Sequence, residues 1–212
     1  MTEAQEMMSS REAFGQELRA LGHENPKLLV LDADLGTSTK TSIFAAQFPD
    51  RFIQLGIAEQ NMIGVAAGLA LAGWTPVTST FACFASKRAL DQIRTSVAQP
   101  CLNVKVVGAY SGILAGKTGI THQSVEDVAI FRAMPHMTVL SPSDAVETRA
   151  AVRAAVNHRG PVYIRTTRDP MRIVMDPNHK FEIGKAVLLR EGSDVALITT
   201  GWMLLPALDA VA

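Results

Sequence analysis

With 212 residues, 48% of them hydrophobic and 19% charged, the chain has apolar material for one full α/β domain and the opening of a second. Twenty basic residues balance twenty acidic ones, so no global field directs it to nucleic acid or an acidic membrane surface, and any charge chemistry must be local. Cys83 and Cys101 lack CxxC spacing, which argues against a zinc or dithiol site and reads as two buried free thiols. The first residues have no signal-peptide pattern. The longest apolar run, 65–71, is interrupted by Gly68 and is far too short to span a bilayer, so a soluble, reducing, cytoplasmic setting is expected.

In chain order, helix-like and strand-like stretches alternate. Residues 10–21 read as a helix, 28–32 as a strand, 41–47 as a helix, 52–55 as a strand and 58–71 as a helix. Then come a strand at 75–79, a helix at 82–97, a strand at 103–107, a helix at 124–132, a strand at 137–140, a helix at 143–157 opened by Ser143, and a strand at 162–165. Short apolar strands between helices predict an α/β fold with a parallel sheet covered by helices on both faces. From Asp169 the composition shifts, and 169–184 reads as an exposed linker closing a domain of residues 1–168. Beyond it, 185–189 and 195–199 look like strands and 204–212 like the start of a helix. This stub, 185–212, is too small for a core of its own and implies a longer native chain.

The chemistry concentrates in FIQLGIAEQNMIGVAAGLALAG, where a strand ends at a glycine and a helix opens on Glu59. That junction lies at the carboxyl edge of a parallel sheet, where such sheets bind ligands, and a helix N-terminus favours a carboxylate. Simple helix capping accounts for the position equally well. Gly64 and Gly68 suit a helix that another backbone approaches closely, or an ordinary helix pair.

Three blocks in order, GIAEQNMIGVAAGLALAG, PVTSTFACFASKRALDQIR and GITHQSVEDVAIFRAMPHMTVLSPSD, resemble the pyrimidine-binding domain of transketolases, over residues 11 to about 168. The resemblance implies the thiamine diphosphate-binding fold. It also implies that Glu59 hydrogen-bonds the aminopyrimidine of thiamine diphosphate, with Phe84 stacked on that ring and Phe81 beside it. By the same resemblance His122 faces the substrate and helps move protons, Asp34 lies near the thiazolium, and Arg11, Ser38 and Arg168 hold a substrate phosphate. Asp32 reads instead as a strand-end or turn residue. Three positions depart from the family pattern: Lys87 replaces a tyrosine at the pocket edge, Thr118 an aspartate before the THQ element, and Tyr110 a phosphate-binding histidine. They put the usual sugar-phosphate pair in question.

The GDG motif that holds the diphosphate and its Mg²⁺ in this family does not occur. The expectation is therefore a separate diphosphate-binding partner subunit, as in split transketolases, in a heterotetramer with two copies of each chain and with pyrimidine domains in contact near the Glu59 helix. The activity implied is transfer of a two-carbon ketol unit from a ketose phosphate to an aldose. A 1-deoxyxylulose-5-phosphate synthase ranks second, because the run after STF differs, and a 2-oxoacid dehydrogenase β subunit third, because it generally lacks the THQ block. A non-catalytic assembly partner is a different class of alternative, motivated by Lys87, Thr118 and Tyr110. A dinucleotide binder is disfavoured because no GxGxxG follows the first strand.

Overall fold

The computed structural model describes residues 7–211. In order it contains β1 (Met7–Met8), α1 (Ser10–Glu24), β2 (Leu28–Asp32), α2 (Gly36–Thr39), α3 (Ser42–Gln47), β3 (Phe52–Gln54), α4 (Glu59–Leu71), β4 (Thr75–Phe81) and α5 (Ala82–Lys87). These are followed by α6 (Leu90–Gln92), β5 (Lys105–Ala109), α7 (Asp127–Arg132), β6 (Thr138–Leu140), α8 (Ala145–Asn157), β7 (Val162–Arg165), β8 (Met171–Arg172) and α9 (Leu204–Ala210). Among the described residues no helix is long and apolar enough to cross a membrane.

Six strands form one parallel sheet in the order β3-β2-β4-β5-β7-β6. Period-two alternation within β2 explains how a strand that is apolar up to Asp32 serves two layers. Leu28 and Val30 face the core beneath α1, α3 and α8, while Leu29 and Leu31 face the core beneath α4, α5 and α7. The same alternation sends Val162 and Ile164 to the first layer and Tyr163 to the second, where its ring stacks on Phe131 at 3.8 Å. Gly108 has no side chain because a Cβ there would collide with the Tyr163 ring and hydroxyl.

Several local expectations are corrected. The helix expected over 82–97 is interrupted at Arg88 and Ala89, where Ala89 has φ −103° and ψ 9°, and it ends in a π-helical stretch, Ile93–Ala98. The cap of α8 is Asp144 rather than Ser143. The Asp144 carboxylate accepts from the Glu147 N–H at 2.9 Å, while Glu147 reaches back to the Ser143 N–H. Cys83 is buried as expected, but Cys101 is exposed, because it occupies a turn with φ 55°.

The stretch expected to be an exposed linker is partly tied down. β8 pairs antiparallel with β1, and the N–H groups of Val174 and Met175 both donate to Asp144 at 2.8 Å. Phe181 and Ile183 pack on the core. The two strands expected at 185–189 and 195–199 do not form. Leu188, Val195 and Ile198 are exposed, and two short segments with no third strand to cover them cannot sustain a sheet.

At the amino edge of the sheet, Lys105 is fully buried, and its Nζ donates to Asn103 Oδ1, His158 O and Gly160 O at 2.6–2.7 Å. Burial draws the amine down to about 7, yet three oxygens leave no place for a lone pair, so the cage holds the ammonium form. Lys105→Met, which roughly keeps the volume and leaves the His158 and Gly160 carbonyls without this donor, is expected to lower unfolding free energy by about 2–4 kcal/mol in urea denaturation.

Candidate functional site

Because all six strands run the same way, the turns after β2, β3, β4, β5 and β7 gather at one edge, carrying Asp34, Glu59, Phe81 with Phe84, Tyr110 with His122, and Arg168. The strand order reverses between β2 and β4, which opens a crevice there. The buried Asp32 organises its floor. Its carboxylate accepts from the Leu35 N–H at 2.6 Å and from the Thr39 and Thr41 hydroxyls at 3.0 and 2.7 Å. The reading of Asp32 as a strand-end residue therefore fits, with the addition that it fixes the loop bearing Asp34 and Ser38. Asp34 is exposed and has φ 64°, a conformation that Asp tolerates better than most residues, and its N–H donates to Gln54 Oε1 at 2.8 Å.

Glu59 is the first residue of α4, and Ala58 before it supplies no side-chain cap. Its side chain is only 4% exposed, and Oε1 accepts from Arg88 Nη1 at 3.1 Å. The guanidinium carbon of Arg88 lies 3.8 Å from the Phe84 ring centroid. A buried carboxylate and an aromatic face thus already hold one planar nitrogenous cation, and the same pair would suit a planar aminopyrimidine.

From Phe84 the aromatic groups continue inward. Phe81 lies 5.6 Å from Phe84 and 4.3 Å from Tyr110, and the His122 ring meets Phe81 and Phe84 edge-on at 5.7 and 5.5 Å. Four side chains named from sequence, Glu59, Phe81, Phe84 and His122, therefore share one wall.

At the other end of this wall, Arg11 donates through Nε to Arg168 O at 3.0 Å and through Nη1 to Ser38 O and the Tyr110 hydroxyl at 2.8 and 2.9 Å. Arg168 lies over the Tyr110 ring, 5.7 Å from its centroid. The structure thus brings Arg11, Ser38 and Arg168 together around Tyr110. Ser38 contributes its carbonyl to Arg11 rather than its hydroxyl. Tyr110 holds φ 56°, strain of the kind that gathers at ligand sites.

The loop carrying His122 is anchored at both ends. Ser124 bridges to Gly112, and the buried Asp127 accepts from Tyr163 at 2.7 Å and from Arg165 Nε and Nη2 at 2.8 and 3.2 Å. Within it, the Thr121 hydroxyl pairs with His122 Nδ1 at 2.8 Å, fixing the ring and leaving Nε2 for other partners. Thr118 bonds the Ala115 carbonyl instead of facing a ligand with a charge. Lys87, which departs from the family tyrosine, pairs with Glu126 at 2.5 Å and so ties this loop to α5.

Sequence reasoning missed Arg88 and Glu126. Arg88 stands four residues after Phe84, a spacing that puts the two side chains on one helical face and could have flagged the pair. Glu126 carried no such signal, since its partner is 39 positions away and the pairing depends on the loop's path.

A family model described as the transketolase pyrimidine-binding domain matches residues 6–173. The chain is 46% identical over 200 residues to a 6-deoxy-6-sulfo-D-fructose transketolase subunit of a Clostridium species, covering 94% of this chain and 62% of that protein. It is 40% identical over 206 residues to human transketolase, covering 96% of this chain and 33% of that one. Among solved structures, a split-gene transketolase described as an inactive beta4 tetramer superposes with a TM-score of 0.88 at 48% identity, covering 96% of this chain and 66% of that chain. The chain thus spans less than two thirds of these relatives.

The hydrogen bond to Lys87 holds the Glu126 carboxyl below its usual 4.5, and the same bond raises the Lys87 amine above its usual 10.5. The tether is therefore complete above pH 4.5 and below pH 10.5, and it fails as pH falls through the lowered carboxyl value or rises through the raised amine value. Lys87→Met is expected to speed amide exchange of residues 119–126 at neutral pH while leaving the exchange of β2 and β5 unchanged. Hydrogen-exchange mass spectrometry checks this.

Proposed function

The chain belongs to the transketolase family as its pyrimidine-binding domain, and from that premise we propose that it is one subunit of a two-chain, thiamine diphosphate-dependent transketolase. It would move a two-carbon ketol unit from a ketose phosphate to an aldose. The observation that carries this reading is the buried Glu59 carboxylate at the start of α4, sharing a flat cation with the Phe84 ring. When bound, thiamine diphosphate supplies the electron sink for breaking and forming the carbon–carbon bond.

Each residue then has a defined task. Glu59 holds a proton at Oε1 and exchanges it with a ring nitrogen, in a site where burial keeps water from competing. Phe84 supplies the stacking face, with Phe81 behind it, and Asp34 lines the rim nearest the thiazolium. His122, oriented by Thr121, gives and takes a proton at the donor's carbonyl or hydroxyl oxygen. Arg11 and Arg168, with Ser38, meet the sugar's anionic end. Arg11 commits Nε and Nη1 to protein oxygens, so its second terminal nitrogen points the recognition. Two guanidinium groups suit a phosphate and a sulfonate alike, in keeping with the sulfosugar named for one relative.

The reading assigns the diphosphate and its Mg²⁺ to a partner subunit with a GDG motif, in a cytoplasmic complex of two copies of each chain. Residues 1–168 form the pyrimidine-binding domain, 169–184 the linker, and 185–212 the opening of the family's third domain. Self-contact between pyrimidine domains is assigned to the open face of α4. Gly64 and Gly68 have no atom within 4 Å of a would-be Cβ, and Leu71 at the end of the same face and Ile57 just before α4 are exposed. The neighbouring split-gene structure is itself a β-chain tetramer, described as inactive, which suits a subunit that cannot act alone.

Two outcomes are expected. Glu59→Gln should leave the fold and assembly intact while lowering ketol transfer by the reconstituted complex at least about 100-fold, measured with a panel of ketose phosphates. Unchanged turnover would leave this chain only a scaffold role. Gly64→Leu with Gly68→Leu should keep the chain folded by circular dichroism but reduce its self-association in light scattering.

A further inference from the structure

Arg88 caps α5 with helical dihedrals, φ −69° and ψ −39°, and its N–H bonds the Phe84 carbonyl at 2.9 Å. That geometry returns its side chain over the Phe84 ring. The guanidinium carbon stands 3.8 Å from the ring centroid, and Nη1 donates to Glu59 at 3.1 Å. Phe81 and His122 crowd the same ring from other directions at 5.6 and 5.5 Å. The contact is asymmetric, since the Glu59 side chain is 4% exposed and the Arg88 side chain 50%. One partner is fixed in the protein, and the other is free to swing into solvent.

A planar guanidinium whose carbon stands 3.8 Å over the Phe84 ring centroid, with an N–H directed at a carboxylate, presents the same delocalised N–C–N edge and hydrogen-bond polarity as an aminopyrimidine with a protonated ring nitrogen. Both cannot lie on that ring face at once. We propose that Arg88 is an internal stand-in for the cofactor's aminopyrimidine, covering Phe84 and neutralising Glu59 until thiamine diphosphate displaces it. This inference rests on the cofactor reading above and adds a competitor to it.

Two consequences follow from the chemistry. Without Arg88 the chain would expose a buried carboxylate with no counter-charge, at a cost to the subunit before it meets its partner. With it, the site is competent only for the fraction of time that Arg88 is swung away, and the apparent dissociation constant rises by the inverse of that fraction. Arg88 therefore trades cofactor affinity for a subunit that stays closed while alone. Its neighbour Lys87 points to a different carboxylate, Glu126, and takes no part in this exchange.

The test titrates thiamine diphosphate with Mg²⁺ into the complex of this chain and its diphosphate-binding partner, followed by calorimetry and by intrinsic fluorescence. Arg88→Ala is expected to bind roughly 5- to 30-fold more tightly than wild type, the size expected from losing one aromatic and one half-exposed ionic contact. Adding ethylguanidinium at millimolar concentration should weaken binding by Arg88→Ala and leave the wild type unaffected, a rescue that a purely structural arginine would not give. Should Arg88→Ala fail to fold, Arg88→Lys, which keeps the charge and lacks the plane, is expected to fall between the two. Equal or weaker binding by these variants, with normal uptake by wild type, would overturn the stand-in. No uptake by the wild-type complex would instead remove the cofactor reading on which it rests.

Discussion

Neighbouring strands that run the same way must be joined by crossover connections, here helical, and every strand-to-helix turn then falls on a single edge of the sheet. The rest of this molecule depends on that constraint. Residues separated by up to 157 positions meet there, as Arg11 does with Arg168. The reversal of strand order between β2 and β4 sends the chain to opposite faces of the sheet after these two strands, and Asp32 fixes the turn after β2 through its hydrogen bonds. The opposite edge is closed by the Lys105 cage, so the sheet is rigid at one end and open for binding at the other.

Electrostatics at the open edge are local, as the balanced composition requires. Two consecutive cations at the end of α5 are matched to two carboxylates from different turns: Lys87 to Glu126 and Arg88 to Glu59. The first pair joins two partly exposed side chains and serves to hold a loop. The second sets a half-exposed cation on a buried acid, where the balance of desolvation and attraction is more delicate. An aromatic wall runs from Phe84, under Arg88, through Phe81 to Tyr110, which lies under Arg11 and Arg168.

The sheet was legible because β2 and β7 are short, mostly apolar and punctuated, and β4, though rich in Thr and Ser, has the β-branched composition of a strand. Glu59 was legible as a position, at the junction of strand and helix, but its task came only through the resemblance. The resemblance also supplied Phe81, which by itself looks like any core aromatic. What escaped was whatever depends on tertiary context. The break at Arg88 and Ala89 follows no proline or glycine, and the apolar runs at 185–189 and 195–199 have strand-like composition with nothing to pair against. Ser143 looked like a cap because serine is a good one, but Asp144 wins, since a carboxylate can serve the helix and the returning chain at 174–175 together.

The two thiols of this chain have been separated by the fold in both place and chemistry. Burial raises the Cys83 thiol and shuts it in, whereas Cys101 stands exposed in a left-handed turn beside Gly160, at the amino edge of the sheet. Thiolate character and access together govern reactivity, so an alkylating dye or biotin reagent would attach at one point only. That point lies at the opposite edge of the sheet from the turns carrying Glu59 and His122, which gives the molecule a ready tether for surface immobilisation with those turns facing outward.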